Sequence, residues 1–434
     1  MLAAHVRRGT GVFVTDLETK DIPTTFHRFA EVVGVEHWTR RASLIHQEIR
    51  GNRFLEALLL EEYSIVLALD RCSAALRKLR TLPHDLALDK SIYPAIAFAA
   101  QCLSFVENAP GPTQKGLLGR IRGSFRNSED LRALQLEFHS ATHFSRLGHR
   151  ISWPEMDRTG RVDLLVPTLG PVGLQIECKA ISIDKGRKIH RREALVFWHK
   201  LDKTLRPTTR QLRVGLSVVL TVPDRLPKDH STQKALISEI RGCFLLGSSQ
   251  SLSDGSQLRI SEFDFAKSVS FDASGQPRIG RDEIDRVSGT RNREAMLHFS
   301  RRGGVVFVLQ SAKDDSFLDY VFETLKDAAG RQLDPDRPGL LVAAFQGIGP
   351  EGLYDVAGQD VFRRGPPTAL RQRASAFFAK DSRPNIIGLA FLSREVLGDV
   401  GDSFVHGGSA AYHFPNRDGS FWHEAFEGMF REAE

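Results

Sequence analysis

Apolar residues recur at helical spacing through 55–69 and 74–79, with breaks at Gly51-Asn52 and near Pro83, so residues 20–110 read as a run of helices. The uncharged stretch 92–106 falls short of the ~20 residues that cross a bilayer and reads as a buried helix. At Ser128 an acidic start, Glu129-Asp130, leads into Leu131, Leu134, Phe138, Ala141 and Phe144, and Gly148 ends the pattern, predicting a helix over 128–147. Beyond it the pattern changes to short apolar runs. These predict a strand at 150–153, a hairpin over 161–180, a helix over 187–204, a strand over 212–222, a helix over 232–246 and a strand over 257–265. The polar stretch 267–292, with Gly275, Pro277 and Gly280, reads as a linker or long loop. After it, strands at 305–310, 340–345 and 386–392 alternate with helices near 315–329 and 367–380. The expected class is α/β: a mainly helical domain over 1–125, a mixed sheet flanked by helices over 126–266, and a C-terminal α/β domain of unread role over 293–434.

The hairpin holds the candidate chemistry. Gly170-Pro171-Val172-Gly173 reads as the turn between two apolar strands, which brings Asp163 near Glu177. Strand side chains alternate, so Gln175, Glu177 and Lys179 share one face, while Leu174, Ile176, Cys178 and Ala180 share a face apolar enough for a core. Two carboxylates ~4 Å apart repel by roughly 4 kcal/mol at an effective dielectric of ~20, and a divalent cation between them reverses the sign. Mg²⁺ suits such a pair, because it binds through one or two carboxylates, keeps several waters and accepts substrate phosphate oxygens. A neighbouring lysine then serves the attacking water and offsets charge developing on the phosphorane. The alternative is a surface hairpin in which Glu177 and Lys179 form an ion pair.

At Asp163 and Glu177-Cys178-Lys179 the sequence resembles the PD-(D/E)XK nuclease superfamily, over roughly residues 129–265. The resemblance implies a restriction-endonuclease-like core, metal bound by Asp163 and Glu177, and Lys179 serving the attacking water. It also implies Mg²⁺ as cofactor with Mn²⁺ substituting, phosphodiester hydrolysis on DNA rather than RNA, and a setting in antiviral defence, restriction or repair. Val162 stands where that family often has proline before the first acid. A second Glu-x-Lys, Glu18-Thr19-Lys20, has no preceding hairpin. Glu137 lies on the apolar stripe of the 128–147 helix, where an unpaired charge is costly. It is similar to the helix acid that completes the metal shell in many of these enzymes; its other reading is a partner for an arginine.

Charge adds a second element. Residues 180–213 contain ten Lys or Arg against three acids, a local +7 that exceeds the +6 of the whole chain. Lys185, Arg187, Lys188, His190, Arg191 and Arg192, just after the hairpin, are therefore the expected nucleic-acid contacts. The alternative is a solvated helix face.

The remaining features narrow the field. With 434 residues and 41% hydrophobic content, several packed domains are expected. Cys72, Cys102, Cys178 and Cys243 lack Cys-x-x-Cys spacing, which fits reduced thiols in the cytoplasm, and residues 1–14 lack the apolar core of a signal peptide. No membrane partner is expected. Gly347 to Gly352 spells G-x-G-x-x-G, but no helix is expected to begin there and no acid occurs from Val361 to Lys380 for a ribose. His139 and His143 have metal spacing without an obvious third ligand. The resulting expectation is a divalent-metal-dependent nuclease. A reading from another class is a non-catalytic nucleic-acid-binding or sensor protein on a degenerate nuclease fold. The N-terminal helices and the C-terminal domain are the expected surfaces for a homo-oligomer or a protein partner.

Overall fold

The structure, a computed structural model, describes residues 17–182, 184–291, 294–362, 365–379, 383–393, 396–400, 404–408 and 410–430. The chain forms two compact units, the first from residues 1–46, 59–183 and 318–434, the second from 47–58 and 184–317. These limits cut across the expected 1–125, 126–266 and 293–434. Strands 215–222 and 257–263, expected beside the hairpin, pair in a separate sheet, while the strands at 339–346 and 386–392 join the hairpin instead. The runs 215–222, 339–346 and 386–392 are similarly apolar, so periodicity gives these strands without their partners; partner choice depends on long-range packing.

In the first unit the helices α1 (Ile22–Val33), α2 (Ser64–Leu79), α3 (Tyr93–Asn108), α4 (Gly111–Ser124) and α5 (Ser128–Arg146) bury apolar side chains around a core that also takes Trp38 from the helix Glu36–Gly51. Trp38 stacks on Phe29 at 5.5 Å and meets Phe125 at 5.6 Å, and its indole N–H donates to Ser73 at 2.9 Å. Phe138 of α5 continues the cluster through Phe98 and Phe105 to Trp153. The N-terminal helices therefore belong to the same packed body as the hairpin.

That body's sheet contains β1 (Leu164–Val166) and β2 (Leu174–Ser182). The second unit follows β2 in the chain, with α6 (Arg191–Thr209), β3 (Gly215–Val222), α7 (His230–Leu246), β4 (Gln257–Phe263), α8 (Arg281–Ser288), β5 (Glu294–Phe299) and β6 (Gly304–Ser311). The chain then returns through α9 (Phe317–Arg331), β7 (Gly339–Gln346), α10 (Pro350–Val361), α11 (Ala369–Phe378), β8 (Ile386–Leu392) and β9 (Ala411–Pro415).

The first sheet has the order β1-β2-β7-β8-β9; β2, β7 and β8 run parallel, and β1 and β9 are antiparallel edges. On one face Cys178 of β2 meets Ser140 of α5 at 3.5 Å. On the other, Phe391 of β8 packs against Phe322 of α9, which in turn meets Phe377 of α11. The result is a layered α/β unit with a mixed sheet.

A helix, α10, does begin within the glycine-rich loop after β7, contrary to expectation: Gly349 is its N-cap and Pro350 its first residue. Pro at that position supplies a preset φ and lacks only an N–H that would be unpaired anyway. Glu351 in its first turn places an acid where a phosphate would have to sit.

The second unit's sheet has the order β4-β3-β6-β5, with the short strand Gln250–Ser251 outside β4. Leu201, Leu205, Trp198 and Phe197 of α6 and Ile240 and Phe244 of α7 form the core on one face with Val218, Leu220 and Phe307. Val219, Val306 and Val308 face Ile284 and Val287 of α8 on the other. The 267–292 stretch thus contains a helix rather than a plain linker. Among the described residues no helix is long and apolar enough to cross a membrane, and all four cysteines are free and buried.

Candidate active site

The hairpin turn requires backbone that only glycine adopts readily: Gly170 and Gly173 have φ of 78° and 79°. A Cβ on Gly170 would lie 2.8 Å from Cζ of Phe426, so the ring of this buried residue covers the turn. His143 of α5 contacts the carbonyl of Met429 through Nε2 at 2.6 Å. The segment Glu424–Phe430 thus touches both elements that present the candidate acids.

The register Leu164↔Ile176 sets Asp163, one residue before β1, beside Glu177. Asp163 Oδ2 accepts the Cys178 N–H at 2.8 Å, and the Asp163 N–H points to Glu177 Oε2 at 3.4 Å. Lys179 Nζ lies 2.6 Å from Glu177 Oε1. Glu177 is 0% and Asp163 7% exposed, whereas the Lys179 side chain keeps 25% of its surface open. The ion pair of the alternative reading is present, but not at the surface, because Glu177 is inside the fold.

Glu137 comes from α5, on the Cys178 side of β2. Its Oε1 accepts from Arg120 Nη2 of α4 at 3.0 Å, so the arginine pairing is realised. Its Oε2 is buried and has no hydrogen-bond partner. Arg120 was not visible as a partner in the sequence: it lies on a different helix, 17 residues away, among other cations. Glu155, just before the hairpin, adds a further negative charge felt by Glu137 and Asp163.

Burial and crowding of like charges act together here. Burial first, then the Asp163 charge, pushes Glu177 up to about 8 despite Lys179. The same two causes push Glu137 up to about 7 against the opposing pull of Arg120. Asp163 is raised by burial, with the Cys178 N–H and Lys179 opposing. Burial alone would lower Lys179, but Glu177 and Asp163 outweigh it and raise the ammonium above its ordinary value. Three inward carboxylates thus face two cations, and each is costly to ionise without further positive charge.

A divalent cation fits this donor set. With the Glu137 Oε2 unpartnered and all three acids raised chiefly by burial, the group retains protons unless positive charge is supplied. Among the described residues no three His, Cys, Asp or Glu side chains are grouped so as to hold an ion by themselves. Mg²⁺ does not need three, and the linked pair Asp163 and Glu177 meets its requirement. Glu137, tied to Arg120, is coupled to them through the charge of Asp163. Glu137→Gln should therefore raise the Mg²⁺ concentration for half-maximal activity about tenfold, the lower range for loss of a group that orients a metal site. Thermal melting should not fall in parallel; unchanged Mg²⁺ dependence would reduce Glu137 to a partner of Arg120.

The six expected nucleic-acid residues all belong to the second unit, and several are engaged there. α6 begins only at Arg191, leaving 185–190 as its approach. Arg187 lies among Glu294 at 2.8 Å, Asp184 at 3.3 Å and Asp315 at 3.5 Å, with 16% of its side chain exposed. Arg192 pairs with Glu48, and Lys188 lies 3.6 Å from Asp224. The Lys188 N–H donates to Asp315, and Ser316 N–H to Gly186, so these residues join the two ends of the segment 184–317. Acids distant in sequence thus absorb charge that the local count assigned to phosphate. Arg187→Met should destabilise this unit by about 3 kcal/mol, because three carboxylates lose their shared cation. Denaturant unfolding would measure this; a loss below ~1 kcal/mol would contradict the network's role.

No family model, curated protein or solved structure matches this chain.

Proposed function

We propose that this chain is a divalent-metal-dependent nuclease that hydrolyses phosphodiester bonds, with a restriction-endonuclease-like core in its first unit. The observation that carries the reading is a fully buried Glu177 linked to Asp163 on one side and to Lys179 on the other. A structural ion pair gains little from full burial of its acid. Helix α5 and the antiparallel hairpin β1-β2, followed after the inserted segment 184–317 by α9 and the parallel strand β7, support the same core.

Asp163 and Glu177 would hold Mg²⁺, with Mn²⁺ substituting, and the ion would supply Lewis-acid activation of the water and charge neutralisation at the phosphate. Lys179 stays protonated, since its ammonium is held above its ordinary value by Glu177 and Asp163. Its part is therefore to donate to the attacking water and to offset charge on the phosphorane, rather than to take a proton. The Cys178 N–H orients Asp163, and Arg120 fixes Glu137. DNA is the favoured substrate, and defence, restriction or repair the favoured setting, on the family resemblance alone.

The test is purified protein on plasmid, linear DNA and RNA with Mg²⁺, Mn²⁺ or EDTA. Cleavage that needs the metal supports the enzyme, and the preferred polymer names its substrate. Binding without cleavage under every metal condition replaces it with the non-catalytic binder on a degenerate nuclease fold.

A further inference from the structure

The second unit has a cationic surface separate from the engaged residues 185–192. Residues 198–214 and 298–303 together hold seven Lys or Arg and a single acid, Asp202. That acid is 4% exposed and faces inward, pairing with Arg206 and with His298 Nδ1 at 3.3 Å. It thereby ties α6 to β5 and leaves no carboxylate on the surface of these two segments.

The fold brings them together. Gly215 of β3 pairs with Gly304 of β6, and the Gly304 N–H donates to the Val214 carbonyl at 3.0 Å. Phe299 pairs with Gly304 across the β5–β6 turn, so Arg301 and Arg302 in that turn stand beside Arg213 and the end of α6. Gly303 has no room for a side chain, because its Cβ would fall 2.7 Å from Val214 N. Lys203, Arg206 and Arg210 follow at spacings of three and four residues along α6, which makes them neighbours on one helix face. Lys203, Arg210, Arg213, Arg301 and Arg302 are all exposed, and none has a carboxylate partner among the described residues.

We propose that this patch, Lys203, Arg206, Arg210, Arg213, Arg301 and Arg302, is the surface through which the protein binds the phosphate backbone of nucleic acid. The inference rests on the nuclease reading for its choice of polyanion and places binding in a different unit from the chemistry. Lys203 to Arg210 spans about 10 Å along the helix, the axial length over which one strand presents roughly three phosphates. A row of cations in which only Arg206 is paired, to an acid that is turned inward, neutralises such a strand without base contacts. Sequence-independent, salt-sensitive affinity follows.

The experiment measures the affinity of the full chain for a labelled duplex in EDTA, where cleavage does not enter, across a salt series. Lys203, Arg210, Arg213, Arg301 and Arg302 are changed together to Gln. A control variant changes Arg225, Lys228, Lys234 and Arg241 to Gln, exposed cations elsewhere in the same unit. The patch variant should bind about 100-fold or more weakly near 0.1 M salt, and its log–log salt slope should shrink by up to about 0.9 for each phosphate no longer neutralised. The control should weaken by less than about threefold, and melting of both should match the parent. Equal weakening in the two variants, or an unchanged slope in the patch variant, overturns the proposal. So does a parent that binds anionic vesicles or an acidic protein but no nucleic acid. Metal-dependent cleavage by the parent with unaltered duplex affinity in the patch variant defeats this surface alone. Patch-dependent binding without cleavage defeats the nuclease reading alone.

Discussion

Lys179→Ala should lower the cleavage rate by about 10² or more while leaving fold and nucleic-acid affinity close to the parent, the range for a positioned electrostatic or proton-donating group. The reason is differential: in the proposed role the ammonium acts on charge that grows in the transition state, so ground-state binding should change little. Glu177→Ala should lose as much activity by a different route. On the proposed reading it removes a metal ligand, and single-turnover rates should not recover at raised Mg²⁺. Duplex binding by this variant should persist. Rates measured under single-turnover conditions, with binding measured separately, distinguish the two effects. If the parent cleaves and both variants cleave equally well, the hairpin is not the active site.

The second large effect concerns stability without metal. Glu177 is pushed up to about 8 from its ordinary 4.5, and Glu137 up to about 7, so the folded protein binds protons that the unfolded chain releases. For a group whose pKa is raised on folding, the proton-linked stability is fully present below the ordinary value and is lost as pH rises through the folded one. The metal-free protein should therefore become less stable between pH 5 and pH 8, by on the order of a few kcal/mol. Mg²⁺ should restore much of this loss at pH 8, where the ionised pair receives a compensating charge. Glu177→Gln should be more stable than the parent at pH 8 without metal, with a weaker decline and a smaller response to Mg²⁺. Thermal melts at pH 5, 6.5 and 8, with EDTA or Mg²⁺, measure all three. A flat pH profile, or an equal Mg²⁺ response in the variant, would remove Glu177 from the metal site.

The local elements were legible in the chain. Helix 128–147 is observed as Ser128–Arg146, and strands 212–222 and 305–310 as Gly215–Val222 and Gly304–Ser311, because each has its own periodicity and end signals. The hairpin was legible for the same reason, since a glycine-bounded turn is a short-range feature. Its carboxylates and lysine were found because strand alternation alone sets Glu177 and Lys179 on one face.

Sheet membership depended on tertiary structure. The apolar runs at 215–222 and 339–346 are both built for burial, and only the packing of the whole chain gave the second, not the first, to β2. Helix onset after β7 was missed because the glycines around Gly349 and Pro350 resemble a loop until a preset φ and an N-cap are seen together. Charge behaved likewise. A local count finds an excess of cations over 180–213, but Glu294 and Asp315 occupy Arg187, whereas Arg301 and Arg302 join Arg210 and Arg213 from about ninety residues away. Residue type and spacing by themselves determined most of the helices and strands and the grouping of two acids and a lysine on the hairpin, because these follow from interactions within a few residues. Which sheet each strand joins, which cations remain unpaired, and the burial that makes Glu177 costly to ionise came only from the tertiary structure, because each depends on groups far apart in the chain.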